Sequence, residues 1–207
     1  MGEGEGEDGK MVTFSAGGAT ALLLRDVHGM KTLLTETEVA QALERLMAAV
    51  LDQVPSAGPV VVIGVRTRGE VLARRIVERL AVARPGQTVH FGVLDITFYR
   101  DDLGRRHGAP RVRATEIPVS LDDAWVLLVD DVLHTGRSVR AALDAIRDFG
   151  RPSVVRLAVL FDRGGRELPI AADMVGLYNS VPDQTRVHVK LKESDGEEGV
   201  FIVKHEA

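Results

Sequence analysis

Apolar residues recur at helical spacing over residues 35–53 and then run unbroken over 59–65, two patterns that call for a helix followed by a buried strand. Thr35 and Glu38 have the spacing of a capping box, with Leu34 and Val39 placed as a hydrophobic staple. Leu43, Leu46, Val50 and Leu51 continue one apolar face to about Gln53. The 59–65 run is β-branched and apolar throughout, as a strand covered on both faces should be. A helix over 69–82 and a strand over 88–96 follow. Residues 99–116 then carry Gly, Pro and five arginines without periodicity, the mark of a long binding loop or lid. A strand at 125–129, a helix at 138–149 ended by Gly150 and Pro152, and a strand at 154–161 repeat the alternation.

This order predicts an α/β fold with a central, mostly parallel sheet flanked by helices. Two further strand-like runs, 187–191 and 200–203, are separated by a segment containing the turn-former Asp195-Gly196, and they predict a C-terminal antiparallel hairpin. Residues 1–29 open on a Gly/Glu tail and precede the first strong pattern. They read as a disordered extension to one domain over 30–207, with Met30 a second candidate start.

Composition narrows the function classes. The 207 residues include no cysteine, which excludes a disulfide framework, a cysteine zinc site and a thiol nucleophile. No apolar run approaches the roughly 20 residues that cross a bilayer, and the acidic N-terminus lacks the features of a secretory signal. The expected location is the cytoplasm, with no membrane partner. A net charge of -4 argues against a surface built wholly for nucleic acid. Arginines nevertheless cluster at Arg66/Arg68, at Arg100/Arg105/Arg106/Arg111/Arg113 and at Arg163/Arg166. Anion sites and solvated loop charge both fit those clusters.

The segment richest in chemistry is 126–138, where a buried strand runs through Asp130 and Asp131 into a small-residue loop and a helix start. Helix N-terminal N–H groups are unpaired, so Thr135, Gly136, Arg137 and Ser138 could wrap a phosphate with main chain and hydroxyls together. Asp130 and Asp131 fall where ligands settle in open α/β sheets, and carboxylates suit ribose hydroxyls. The plainer alternative is a strand closed by two acids before a serine-capped helix. Other phosphate motifs fail. Gly64 and Gly69 have part of a Walker spacing, but Glu70 stands where lysine is needed.

Two acids followed by T-G-x-S resembles the binding signature of type I phosphoribosyltransferases for 5-phosphoribosyl-1-pyrophosphate (PRPP). The stretches 65–69, 94–103, 136–144 and 158–170 are similar to the PyrR family of pyrimidine-operon regulators and uracil phosphoribosyltransferases, a likeness running from about Leu33 to the C-terminus. It implies the type I phosphoribosyltransferase fold and conversion of uracil and PRPP to UMP and pyrophosphate, with Mg2+ carried by PRPP rather than bound directly by the protein. It also implies regulation of pyr-operon attenuation by uridine-nucleotide-dependent binding of leader mRNA, UMP and UTP as ligands, and a homodimer or homotetramer. Carried over residue by residue, Arg66, Thr67, Arg68 and Gly69 form the pyrophosphate loop. Thr67, Arg68, Arg100, Asp130, Asp131, Val132, Leu133, His134, Thr135, Gly136, Arg137, Ser138, Arg163 and Val187 line the PRPP and nucleotide site, with Asp130 and Asp131 catalytic. Arg45 and Arg166 are the RNA-contacting matches.

The chain departs from that family's pattern in several places. His134 and Ser138 replace tyrosine and threonine in the phosphate loop. On the RNA face Glu44, Ala48, Gly165 and Ala171 replace threonine, histidine, histidine and arginine, which predicts weaker mRNA binding. The altered 177–183 stretch leaves open a phosphoribosyltransferase for another base, and an RNA-binding nucleotide sensor with little turnover is the second alternative.

Overall fold

The computed structural model describes residues 25–27, 30–99, 113–182 and 184–204. Five strands form one sheet: β3 (Val60–Val65), β4 (Val89–Leu94), β5 (Trp125–Leu133), β6 (Val154–Asp162) and β7 (Met174–Tyr178). They lie in the order β4-β3-β5-β6-β7 and every pairing is parallel. Helices α1 (Glu36–Gln53) and α2 (Arg68–Ala83) share one face, while α3 (Arg137–Ile146) covers the other. The strand alternation divides the core accordingly. Val60, Val62, Leu127, Val129, Ala158 and Leu160 pack toward α1 and α2, and Val61, Ile63, Val126, Leu128, Leu157 and Val159 pack toward α3. Because both faces are covered, all six residues of β3 are buried, which is why its sequence is apolar without alternation.

The capping box of α1 forms as its spacing predicts. Thr35 Oγ1 accepts the Glu38 N–H at 3.4 Å, and the Glu38 carboxylate accepts the Thr35 N–H at 2.8 Å. Helix α1 then reaches β7 closely, since a Cβ on Gly176 would lie 2.9 Å from the Ala42 carbonyl oxygen and 2.7 Å from that of Leu160.

A second sheet is antiparallel, in the order β1-β2-β9-β8, with β1 (Arg25–Val27), β2 (Met30–Leu34), β8 (Thr185–Lys190) and β9 (Gly199–Lys204). The expected C-terminal hairpin is its β8–β9 half, and the connection carries a short helix, α4 (Lys192–Asp195), closed by Gly196 at φ 74°. Its other half was not expected. Arg25–Val27, within the segment read as an extension, pair with β2; residues 1–24, 28 and 29 lie outside the described residues. Leu33, Leu34, Val189, Leu191 and Val200 join this sheet to the α1/α2 side of the core.

Two other boundaries shift. Strand β5 continues past Val129 to Leu133, because β6 still pairs it at Val132 and Leu133 after β3 has ended. Helix α3 stops at Ile146 and tightens into a 3-10 turn, Arg147–Phe149, before Gly150. Strand β7 is too short, and too glycine-broken, to have declared itself in the sequence. No helix of the described residues is long and apolar enough to cross a membrane.

Candidate functional site

Chain order and sheet order disagree at one place. The chain steps outward from β3 to β4, then returns to the far side of β3 to lay down β5, so the crossovers on either side of the β3–β5 pair run in opposite directions. Such a switch point leaves a crevice beyond the carboxyl ends of the two strands. The segments emerging there are the 66–69 turn after β3 and the 130–138 segment at the end of β5, the two regions singled out in the sequence.

The two segments touch through backbone. A Cβ on Gly69 would lie 2.5 Å from the Val129 carbonyl oxygen and 3.1 Å from Asp130 Cα, and one on Gly64 would lie 2.5 Å from Glu70 Cα. Glycine at both positions lets the start of α2 sit directly on β3 at Gly64 and on the end of β5 at Gly69. The Arg66–Thr67 peptide is cis.

Asp130 is buried and its Oδ1 accepts the Asp131 N–H at 2.9 Å, while Asp131 Oδ1 accepts the Val132 N–H at 3.0 Å. Burial pushes the Asp131 carboxyl above the usual carboxylate range, against opposing contributions from its hydrogen bond with Asp130 and the nearby charge of Arg68.

The loop after β5 owes its shape to the 163–173 crossover between β6 and β7. The Arg163 N–H donates to Leu133 O at 3.1 Å, Arg166 Nη1 to His134 O at 2.9 Å, and the N–H groups of Glu167 and Leu168 to Thr135 O at 3.1 and 3.0 Å. Three successive carbonyls therefore face the crossover. In a trans peptide the next N–H points the opposite way, so those of His134, Thr135 and Gly136 are directed away from the crossover. Gly136 caps α3 with φ 90°, and Arg137, exposed, pairs through Nε with Glu167 at 2.7 Å. Ser138 lies in the first turn of α3.

Arg166 is the centre of this arrangement. Besides His134 O it donates from Nε to Ile170 O at 2.9 Å, from Nη1 to Gly164 O at 3.2 Å, and from Nη2 to the buried Asp162 carboxylate. Arg166→Ala would leave Asp162 without this cation and several carbonyls without this donor. It should cost about 2–3 kcal/mol of stability in denaturant unfolding.

The remaining candidates sort by what they touch. Arg68 is gripped by Asp195 through Nε and Nη2, at 3.1 and 2.6 Å. Arg66 turns instead toward the root of the long loop, donating to Ala114 O at 3.1 Å and to the Glu116 carboxylate at 3.0 Å, with Glu70 at 3.3 Å. Arg163 is buried and donates from Nη1 to Thr185 O at 2.8 Å and from Nη2 to Pro182 O at 3.2 Å, which ties β8 to the end of β6. Val187, half-buried on β8, packs against the core. Arg45 gives its Nε–H to Gly176 O at 2.9 Å, and Glu44 pairs with Arg79 at 2.5 Å. Arg100 and the Arg105, Arg106 and Arg111 cluster lie outside the described residues, as does Asp183. Sequence reasoning missed Asp195, which offered no local signal because its partner lies 127 residues away.

Comparison with known proteins shows the family. The family described as phosphoribosyl transferase domain matches residues 29–192. Proteins named "Bifunctional protein PyrR" from Pelotomaculum thermopropionicum and Chloroflexus aurantiacus are each 48% identical to the chain, over 172 and 177 residues. These matches cover 83% and 86% of this chain and 94% and 97% of the relatives. Among solved structures, the hypoxanthine phosphoribosyltransferase of Trypanosoma cruzi superposes with a TM-score of 0.59 at 20% identity, covering 84% of this chain and 97% of that one. One from Staphylococcus aureus reaches 0.57 at 18%, covering 84% and 91%. At those identities the structural likeness speaks for the fold alone. The sequence matches speak for kinship, and the chain belongs to the phosphoribosyl transferase domain family and, within it, to the PyrR proteins.

Proposed function

We propose that the chain is a uracil phosphoribosyltransferase of the pyrimidine-operon regulator type, converting uracil and PRPP to UMP and pyrophosphate. The observation that carries this reading is the backbone contact of Gly69 with Val129 and Asp130, which sets a glycine turn flanked by arginines against an acid pair and a phosphate-type loop at the sheet's switch point. Family membership supports it.

In this reading the N–H groups of the 134–138 loop, with the Thr135 and Ser138 hydroxyls, hold the 5-phosphate. Asp130 and Asp131 orient the ribose hydroxyls, and Thr67, Arg68 and Gly69 meet the pyrophosphate. The bond from the anomeric carbon to pyrophosphate breaks as uracil N1 bonds to that carbon, and the N1 proton is released. Side chains here act by positioning and by fixed charge rather than as nucleophiles. Mg2+ entering with PRPP would neutralise charge on the leaving pyrophosphate, beside the Arg68 guanidinium.

The test is pyrophosphate release from Mg2+–PRPP, measured across uracil, orotate, hypoxanthine and guanine. Release with uracil at least about tenfold faster than with any other base, with UMP formed, is the expected result, a difference of about 1.4 kcal/mol in the barrier. Preference for another base would move the assignment to that base, as the altered 177–183 stretch allows.

The regulatory half of the reading, binding of pyr leader mRNA promoted by UMP or UTP, is supported by membership among proteins named bifunctional. Arg45 is its better contact, lying exposed on α1, whereas Arg166 is committed to the phosphate loop. Filter binding with leader RNA and UMP should give affinity roughly tenfold or more above random RNA, falling steeply with salt. Equal affinity for both RNAs would exclude the regulatory role.

A further inference from the structure

Asp195 belongs to α4, in the small C-terminal sheet module, far in sequence from everything assigned to the site. Its carboxylate nevertheless meets the guanidinium of Arg68 edge to edge, Oδ2 to Nε at 3.1 Å and Oδ1 to Nη2 at 2.6 Å. The carboxylate is itself held in place. Its Oδ2 accepts the Leu191 N–H at 3.0 Å and the Ser194 hydroxyl at 2.7 Å. Burial would raise this carboxyl's pKa, but the Arg68 hydrogen bonds, with those of Ser194 and Leu191, hold it down at about 2, so it is charged throughout the physiological range.

The module carrying Asp195 is fastened to the same helix. Arg75 is seven residues after Arg68 on α2, two turns along one face. Its guanidinium binds Glu193 through Nε at 2.8 Å and Nη2 at 2.6 Å, and Glu198 through Nη1 at 2.8 Å. Lys192 reaches Glu36 at the start of α1. Helix α4 is thereby fixed to the frame that carries the 66–69 turn, and Asp195 is a rigid fork on a rigid support.

We infer that Asp195 is a positioning residue of the pyrophosphate subsite, holding the Arg68 guanidinium in one orientation with its remaining N–H groups presented to the leaving pyrophosphate. The inference rests on the proposed phosphoribosyl transfer. An arginine side chain on a turn loses rotamer freedom when it binds an anion, and a partner that fixes it beforehand removes that cost at the moment of binding. A bidentate carboxylate suits this task, because it defines the guanidinium plane as well as its place.

The test compares the full chain with Asp195→Asn and Asp195→Glu. Asparagine keeps an acceptor for the Leu191 N–H but loses the charge and the paired oxygens. Binding of Mg2+–pyrophosphate, read by titration calorimetry without uracil, should weaken about tenfold in Asp195→Asn, and KM for PRPP should rise by a similar factor. kcat should change by less than about threefold, and Asp195→Glu should recover much of the affinity. Unchanged pyrophosphate affinity in Asp195→Asn overturns the inference. Tighter binding overturns it as well, showing that Asp195 competes with pyrophosphate for Arg68. If the unmodified chain binds neither PRPP nor pyrophosphate, the reading of the 66–69 turn falls first and takes this inference with it.

Discussion

Asp131→Asn is expected to lower uracil-dependent pyrophosphate release by about two to three orders of magnitude while leaving the melting temperature unchanged or higher. The rate loss follows from the role proposed for the acid pair. A preorganised charged acceptor at the reacting sugar is comparable to an oxyanion-hole donor, whose removal costs about 2.7–4 kcal/mol of barrier. The stability side has a definite sign. Burial raises the Asp131 pKa in the folded chain above its unfolded value, so ionisation is harder in the fold than out of it. A carboxyl shifted that way favours folding fully below its unfolded pKa of about 3.9, and that contribution is lost as pH rises through the folded pKa. Above that window the raised pKa counts against the fold, and asparagine, of nearly the same shape, removes that cost. Steady-state kinetics beside a melting curve at pH 7 would check both halves. An undiminished rate would take the acid pair out of the mechanism. A large fall in melting temperature would mean that Asp131 is principally structural.

Gly69→Ala should be among the most damaging single-methyl additions at the described residues. The added Cβ would stand 2.5 Å from a backbone carbonyl oxygen of β5, at Val129, and 3.1 Å from Asp130 Cα. Neither neighbour is a side-chain end that can swing away, so the start of α2 must separate from the end of β5. Overpacking of a rigid backbone contact costs about 3 kcal/mol, or about 6–12 °C in melting temperature for a domain of this size. The same displacement, of the order of an ångström, lies between the acid pair and the 66–69 turn, and in the proposed reaction misplacement on that scale costs about a hundredfold in rate. Unfolding by denaturant and pyrophosphate release, measured together, should both fall. A variant with native stability and rate would show that the two segments are not in the close contact described.

Much of this architecture was legible along the chain because the forces concerned are local or periodic. The capping box at Thr35 and Glu38, the apolar face of α1 and the uninterrupted Val60–Val65 strand depend on neighbours three or four residues away, or on burial of both faces of a strand. Alternation of such elements already called for a parallel sheet, and the acid pair before T-G-R-S pointed to the end of β5. Short, unpatterned strands such as Arg25–Val27 and Met174–Tyr178 carried too few residues to show a period, and they exist because a partner strand supplies their hydrogen bonds.

The fates of the arginines divide most clearly between sequence and structure. In the sequence, Arg66, Arg68, Arg163 and Arg166 are equivalent charges on candidate loops. In the fold, Arg66 braces the root of the long loop, Arg68 is held by a carboxylate 127 residues away, Arg163 secures β8, and Arg166 holds the His134 carbonyl of the 134–138 loop against the 163–173 crossover. A guanidinium has five donors in a fixed plane and no sequence-local preference for where to use them, so its role is set only when distant segments bring acceptors to it. What the sequence alone determined was therefore the set of elements and the chemical character of their ends. Which ends meet, and which charge holds which backbone, was decided by tertiary structure, because close backbone approach at Gly69 and the Arg68–Asp195 pairing are contacts between segments with no covalent reason to be near each other.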